Sequence, residues 1–498
     1  MTLVAGIDAG TQSVKVVVYD AQSCQLRATA SAALELISGD DGSREQHPQA
    51  WMDAVEQCFA RIDPQLRQGI AALAVSGQQH GLVALDADGN VLAPAKLWCD
   101  TSSSAECEEI MQALGGAQGC IEAAGNPILA GYTASKIRWT RKHRPQAYAA
   151  LATILLPHDY LNFRLTGERF MEYGDASGTG WLDVRSRQWS APLLKAIDPD
   201  RDLSQCLPPL VSNDSSFAIL PAMADRLGLS HAVRIAVGGG DNMMAAIGTG
   251  AVVPGRLAMS LGTSGTLFAY ADQPVVDEHG AWAAFCSSSG GWLPLICTMN
   301  CTVATETVAS TLGFSSRDGD PMITSTTPGA DGLTMLPFFN GERTPDLPEA
   351  KASLHGMDMR NMSPAHLYRA AMEGATFSLR FGYDAFVAAG MQFDRILLTG
   401  GGANSPAWRQ MVADVFGLPV QVPQQTEGAA FGAALQALWS LQATAAGADS
   451  LVEVVNRHVH HDPAQAHLPD ASRRTAYQQS YKRYLKHLHD THGVGGDR

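Results

Sequence analysis

Near the start of the chain the apolar residues fall in two short runs. Val4-Ala5-Gly6-Ile7 and Val14-Lys15-Val16-Val17-Val18-Tyr19 flank the small polar stretch Gly10-Thr11-Gln12-Ser13. Some 250 residues on, Leu257-Ala258-Met259-Ser260-Leu261 and Thr266-Leu267-Phe268-Ala269-Tyr270 flank Gly262-Thr263-Ser264-Gly265. Each pattern predicts a β-hairpin with a tight tip. Glycine lets backbone approach a ligand closely, and successive N–H groups with Thr and Ser hydroxyls form an anion nest. Two such tips facing each other would clamp a phosphate chain between two halves of a molecule.

The remaining pattern arranges itself around these hairpins. Residues 1 to about 90 read as strands and turns, with Asp88-Gly89 turning between Leu82–Leu85 and Val91-Leu92. Helices are expected from Ser102 to about Ala149, the first capped by Thr101 or Ser102 and carrying Glu106, Glu108 and Glu109 in its early turns. A strand-rich patch at Val233–Gly240 leads into a helix from about Asn242. The Gly- and Pro-containing stretch Thr249–Arg256 is a connection, and the order of hairpin, helices, strand, glycine turn and helix then repeats. The chain reads as a duplicated α/β unit with three parts. These are an N-terminal domain over 1–248, a C-terminal domain over 255–440 and a helical tail over 441–498. In the tail Tyr477, Tyr481, Tyr484, Leu485 and Leu488 stand at helical spacing. Gly493–Arg498 is expected to be disordered.

Composition narrows the class. A length of 498 residues exceeds what one core usually serves. A net charge of −14 argues against nucleic-acid binding, which needs basic faces, but not against nucleotide binding. Nine scattered cysteines suggest free thiols in a reducing cytoplasm; Cys297 and Cys301, one helical turn apart, read as small core residues. No signal peptide and no membrane span are expected. The tail histidines are too irregularly spaced for a metal site.

Other phosphate loops are excluded by spelling. No Gly-Lys dipeptide occurs, so there is no P-loop, and neither Gly238-Gly239-Gly240 nor Gly400-Gly401-Gly402 continues as a dinucleotide fingerprint. Both triplets keep the order strand, glycine turn, helix. The second is open enough for an adenine or its α-phosphate to lie against, or is simply a close strand–helix turn. Asp241 follows the first triplet, where it either caps a helix or holds a carboxylate beside a substrate hydroxyl. Asp8 ends the first strand next to a phosphate-type tip, a conflict that Mg²⁺ held through water would resolve; otherwise it bonds its own turn. Lys15 is the nearest cation to Thr11. Ser76-Gly77-Gln78-Gln79-His80-Gly81 suits a pocket that reads hydroxyls, and Trp98-Cys99-Asp100 ends another short strand.

Taken in order, the segments Gly6–Thr11, Gly77–Gly81, Leu97–Asp100, Leu156–Leu161, Asp175–Thr179 with Trp181–Asp183, Gly238–Asn242, Ser260–Gly265, Gly341–Pro345 and Gly400–Ser405 with Trp408-Arg409-Gln410 resemble the FGGY family of carbohydrate kinases. Within it the pattern is nearest the pentulose kinases. The resemblance runs from Gly6 to about Leu438 and implies an α/β fold of two actin-like (ribonuclease H-like) ATPase domains flanking a central cleft. The implied reaction is the ATP- and Mg²⁺-dependent phosphorylation of D-xylulose. Another family sugar (ribulose, a pentitol, a hexulose) stands as the alternative, and a protein-binding ATPase of the actin or Hsp70 kind as a more distant one.

The same resemblance makes Asp241 the proton acceptor and places Asp8 near Mg²⁺ and the phosphates. It puts Gln79, His80 and Asn242 at the sugar, Gly401, Gly402 and Asn404 at the nucleotide, and Thr11, Lys15, Gly262 and Thr263 at the phosphates. Gln79 stands where such kinases often carry Met, which leaves the exact sugar open. The resemblance assigns nothing to Glu342 and Arg343. It is compatible with a homodimer, and no membrane partner is implied.

Overall fold

The computed structural model describes residues 2–443 and 449–495. Two compact units result, each assembled from separated stretches. The first comprises 1–252, 271–294 and 427–459, the second 253–270, 295–426 and 460–498. The change of unit at 252–253 falls inside the expected connection. The returns at 271–294 and 427–459 follow no boundary in composition; those stretches join the first unit by packing.

The first unit is built on a seven-stranded sheet. Its strands are β1 (Leu3–Ala9), β2 (Ser13–Asp20), β3 (Gln25–Ala33), β4 (Ile70–Gly77), β5 (Ser216–Ala218), β6 (Arg234–Ala236) and β7 (Gly239–Gly240), in the order β5-β6-β4-β1-β2-β3 with β7 also on β4. β1 is antiparallel to β2 and parallel to β4, and β6 and β7 run parallel to β4. The second unit carries β8 (Gly255–Leu261), β9 (Gly265–Ala269), β10 (Leu295–Thr298), β11 (Phe393–Thr399) and β12 (Val420–Gln421), in the order β10-β9-β8-β11-β12. The run β3-β2-β1-β4-β6 therefore has the same pairing directions as β10-β9-β8-β11-β12. The expected duplication is present, and both predicted hairpins form with three-residue tips, Gly10–Gln12 and Gly262–Ser264.

Some local expectations are corrected. The segment read as strands up to residue 90 contains the helix Pro48–Ala60, which buries Trp51, Met52, Val55, Cys58 and Phe59 at helical spacing, and the short helix Pro64–Gly69. The turn at Asp88-Gly89 forms, but only a single bridge, Leu85 to Val91, follows it; the strand Val83–Leu85 pairs instead with Thr153–Leu155. The helix after Trp98 starts at Ser104, with Ser103 at its N-cap and no side-chain cap. Asp100 accepts from Ser102 and from the buried Lys96. Cys297 lies in β10 and Cys301 precedes the helix Thr302–Thr311, so no helical turn joins them.

The tail divides. Leu451–His458 belongs to the first unit, where Tyr19 Oη and His458 Nδ1 are 2.9 Å apart. Ala471–His492 docks in the second by Tyr477, Tyr484 and Leu488, with Tyr481 Oη donating to Asp384 on the helix Pro364–Ala388. Gly493 closes that helix in the left-handed conformation, and 496–498 of the stretch expected to be disordered lie outside the described residues. No helix among the described residues is long and apolar enough to cross a membrane.

In the first unit two helices, Asp241–Thr249 and Gly428–Gln442, press together behind the sheet. A methyl group on Gly432 would overlap the carbonyl oxygen of Met244, and one on Gly6 of β1 would overlap that of Ala430. Helix propensity alone makes Gly→Ala in a helix favourable by about 1 kcal/mol. Here the added carbon meets backbone, which cannot rotate away. Gly432→Ala is expected to reverse the sign and destabilise by about 2 kcal/mol or more; an unchanged or raised urea midpoint would contradict this packing.

Candidate active site

Parallel pairing brings three strand ends together. Asp8 of β1 lies opposite Lys15 of β2 and Ser76 of β4, and Ser76-Gly77 lies opposite Gly239-Gly240 of β7. Asp241 comes next, as the first residue of its helix; the N-cap is Gly240, and Asp241 does not cap through its side chain. The carboxyl ends of parallel strands are where α/β folds place ligands. Ser76 Oγ donates to Asp8 Oδ1 at 2.9 Å. Asp241 Oδ1 accepts from Asn242 N at 2.8 Å and from Asn242 Nδ2 at 3.1 Å.

Electrostatics set these two carboxylates apart. Burial, then the negative charge of Asp8, raises the Asp241 pKa to about 7, against the opposing N–H of Asn242. Asp241 still keeps part of its surface open. Asp8 is also raised by burial, held back by the Ser76 hydroxyl and the charge of Lys15. A carboxyl that changes protonation near neutral pH suits a proton acceptor.

His80 stands at the same edge in a strained conformation, φ +66°, which for a non-glycine residue costs about 1–3 kcal/mol. Its carbonyl is gripped by Lys136 Nζ at 2.7 Å and Thr133 Oγ1 at 3.1 Å. Lys136 is fully buried, its pKa lowered by that burial to about 7, and its Nζ also donates to Gly131 O at 2.6 Å. His80 Nδ1 lies 2.8 Å from Gly178 O. A carbonyl only accepts, so Nδ1 carries a proton. Tyr132 and Phe285 wall the imidazole, with ring centroids at 4.8 and 5.7 Å. Gln79 is buried, and its Oε1 accepts from Asn242 Nδ2 at 3.0 Å. Asp8, Gln79, His80, Asp241 and Asn242 thus belong to one edge of the first unit.

Thr11 and Lys15 are also in this unit, with prior engagements. Thr11 Oγ1 donates to Gln78 Oε1 at 3.0 Å and accepts from Trp98 Nε1 at 2.9 Å. Lys15 pairs with Glu427.

The second unit holds the remaining candidates. The carbonyls of Gly262 and Thr263 accept from Thr302 N at 2.9 Å and Cys301 N at 3.1 Å. The loop before those amides is braced by Glu342, whose buried carboxylate accepts from Met299 N at 2.6 Å and Arg343 N at 2.8 Å. Glu342, left without a role by the sequence, is a structural brace. After β11, Gly401–Asn404 forms a 3₁₀ turn. A Cβ on Gly401 would meet nothing within 4 Å, and Asn404 is exposed. Gly402 is buried against Leu261 and the Trp408 ring, so it serves packing.

No group of three or more His, Cys, Asp or Glu among the described residues could cage a metal ion. Asp8 fits a different manner of holding one. It is a single carboxylate whose charge strains Asp241, and Mg²⁺ binds through one or two carboxylates with water and phosphate oxygens supplying the rest.

The chain belongs to the FGGY family of carbohydrate kinases: residues 3–248 match its N-terminal domain and 257–441 its C-terminal domain. The fold is the two-domain, actin-like ATPase fold of these kinases. The chain is 42% identical to the xylulose kinase of Haemophilus influenzae, over 97% of this chain and 99% of that one. To the xylulose kinase of Escherichia coli it is 34% identical, over 97% and 98%. The crystal structure of xylulose kinase from Bifidobacterium adolescentis superposes with a TM-score of 0.81 at 32% identity, covering 96% of this chain and 99% of that one.

Proposed function

We propose that this chain transfers the γ-phosphoryl group of ATP to the O5 hydroxyl of D-xylulose. The observation that carries the chemistry is Asp241. It follows the strand ends that carry Asp8, one of its oxygens accepts from Asn242, and burial with the charge of Asp8 pushes its carboxyl up to about 7. The sugar is supported by full-length relatives that are xylulose kinases, and ATP by the family, whose sugar kinases use it.

In this reading the His80 ring meets a sugar hydroxyl, Asn242 lies beside the base and Gln79 behind it. The O5 oxygen forms a bond to the γ-phosphorus as the bond to the β-phosphate oxygen breaks and ADP leaves. Asp241 orients the hydroxyl and accepts its proton. A free alkoxide is not required, because the transition state is loose and the proton leaves late. Mg²⁺, when bound at Asp8 through water, would offset phosphate charge. Lys15 and Thr11 attend the phosphates from the first unit; the Gly262-Thr263 tip, with Gly401, Asn404 and the packing glycine Gly402, forms the nucleotide-binding element of the second.

A coupled ADP-release assay over D-xylulose, ribulose, pentitols and hexuloses tests this. D-xylulose should give the highest kcat/KM, and a higher value for another sugar would overturn the substrate assignment. His80→Ala is expected to raise the D-xylulose KM about tenfold, the scale of one lost hydrogen bond, with the ATP KM within about twofold. Equal effects on both would remove His80 from the sugar.

A further inference from the structure

The backbone of His80 is left-handed, φ +66°, a conformation that favours glycine and persists elsewhere only where the surroundings impose it. Two fixed points impose it here. The ring is pinned through Nδ1, which donates to Gly178 O at 2.8 Å. That end is tightly enclosed, since a Cβ on Gly178 would stand 2.4 Å from Nδ1. The backbone is pinned through the His80 carbonyl, which accepts from Lys136 Nζ at 2.7 Å and from Thr133 Oγ1 at 3.1 Å. Freeing the carbonyl would let the backbone relax while the ring end stays tied, and the imidazole would turn about Gly178.

Both donors sit three residues apart on the helix Thr133–His143, on one face, and both are fully buried. Tyr132, at the N-cap of the same helix, lies against the imidazole with ring centroids 4.8 Å apart. One helix start therefore holds the ring and the carbonyl of His80 together.

Lys136 is a poor choice for packing alone. Its ammonium reaches back to Gly131 O at 2.6 Å, toward the end of the helix that disfavours a cation. Among the described residues its hydrogen bonds go only to the carbonyls of His80 and Gly131. Asp100, whose charge favours the ammonium, pairs instead with Lys96 at 3.1 Å. An apolar side chain of similar length would fill the space without the cost of desolvating a charge. The position calls for a donor, and a charged donor holds an acceptor about twice as strongly as a neutral one. Lys136 has no exposed surface, so it does not touch the substrate itself.

We propose that Lys136, with Thr133, locks the His80 carbonyl and so fixes the imidazole against the sugar, setting the affinity for a substrate that neither residue reaches. Lys136 and Thr133 are positioning residues. This rests on His80 being a sugar contact.

Steady-state kinetics on full-length Lys136→Met, Thr133→Val, His80→Ala and the Lys136→Met/His80→Ala double variant test it. Lys136→Met should raise the D-xylulose KM about tenfold and Thr133→Val about threefold, the scales of a charged and a neutral hydrogen bond. The ATP KM should stay within about twofold and kcat within about threefold. The double variant should have the D-xylulose KM of His80→Ala alone, because Lys136 acts through His80. An unchanged D-xylulose KM in a folded Lys136→Met, an equal rise in both KM values, or multiplying effects in the double variant would overturn the proposal. If Lys136→Met does not fold, Thr133→Val decides: a D-xylulose KM raised alone supports the lock, and an unchanged one overturns it. A sugar-selective His80→Ala beside a neutral Lys136→Met overturns the lock only. If His80→Ala itself moves both KM values equally, the sugar reading of His80 fails, and the lock with it.

Discussion

Asp241→Asn is expected to keep ATP and D-xylulose binding and to lose turnover by about 10²–10⁴-fold, the usual contribution of a positioned general base. Asparagine preserves the shape and can still accept from Asn242, but it cannot take a proton. Stability should move the other way. The folded pKa, about 7, lies above the ordinary 3.8, so folding disfavours the ionised form. The loss of stability is absent below about pH 4, grows with pH and is complete above about pH 7. The variant should therefore match the parent in Tm at low pH and exceed it near about pH 8. Activity of the parent should fall below about neutral pH as a single-proton limb, because the protonated carboxyl cannot accept. Turnover within about threefold of the parent would remove Asp241 as the base.

Asp8→Asn is expected to cost at least about 10²-fold in kcat/KM, the scale of removing one charge-stabilising group from a transition state. Two readouts separate its two consequences. Losing a carboxylate should raise the Mg²⁺ concentration needed for half-maximal rate. Losing the neighbouring negative charge should let the Asp241 pKa fall, since Asp8 is its second-largest upward influence, moving the acid limb of residual activity to lower pH. An unshifted limb would mean that the Asp8 charge does not raise Asp241 in the working enzyme, and an unchanged Mg²⁺ requirement would take Asp8 away from the metal.

How far the sequence reveals this depends on the range of the interactions. Both hairpins are legible because the apolar runs and the small tips between them are local, and the Gly238–Gly240 turn into the helix at Asp241 is local too. The helix Pro48–Ala60 carries a legible apolar spacing that a strand-rich reading of the N-terminus passes over. Discontinuous units are another matter. That 427–459 packs with residues more than 170 positions earlier follows from contacts such as Gly432 on Met244, and a glycine does not announce what lies opposite it. Gly401 and Gly402 make the same point: adjacent and identical, one faces open space and the other a tryptophan.

The site divides in the same manner. Asp8, His80 and Asp241 stand at strand ends and turns, where residue type and position suggest chemistry. Ser76, Thr133, Lys136 and Gly178 act through register and burial. Gly178 lies in a segment that carries the family resemblance, yet nothing in its spacing from His80 indicates that they meet.

The most direct measurement is phosphorus NMR of a mixture of enzyme, MgATP and D-xylulose. The γ-phosphate resonance should be replaced, one for one with ADP formation, by a phosphate monoester coupled to the two protons of the sugar's C5. Inorganic phosphate as the main product, or a monoester at another carbon, would contradict it.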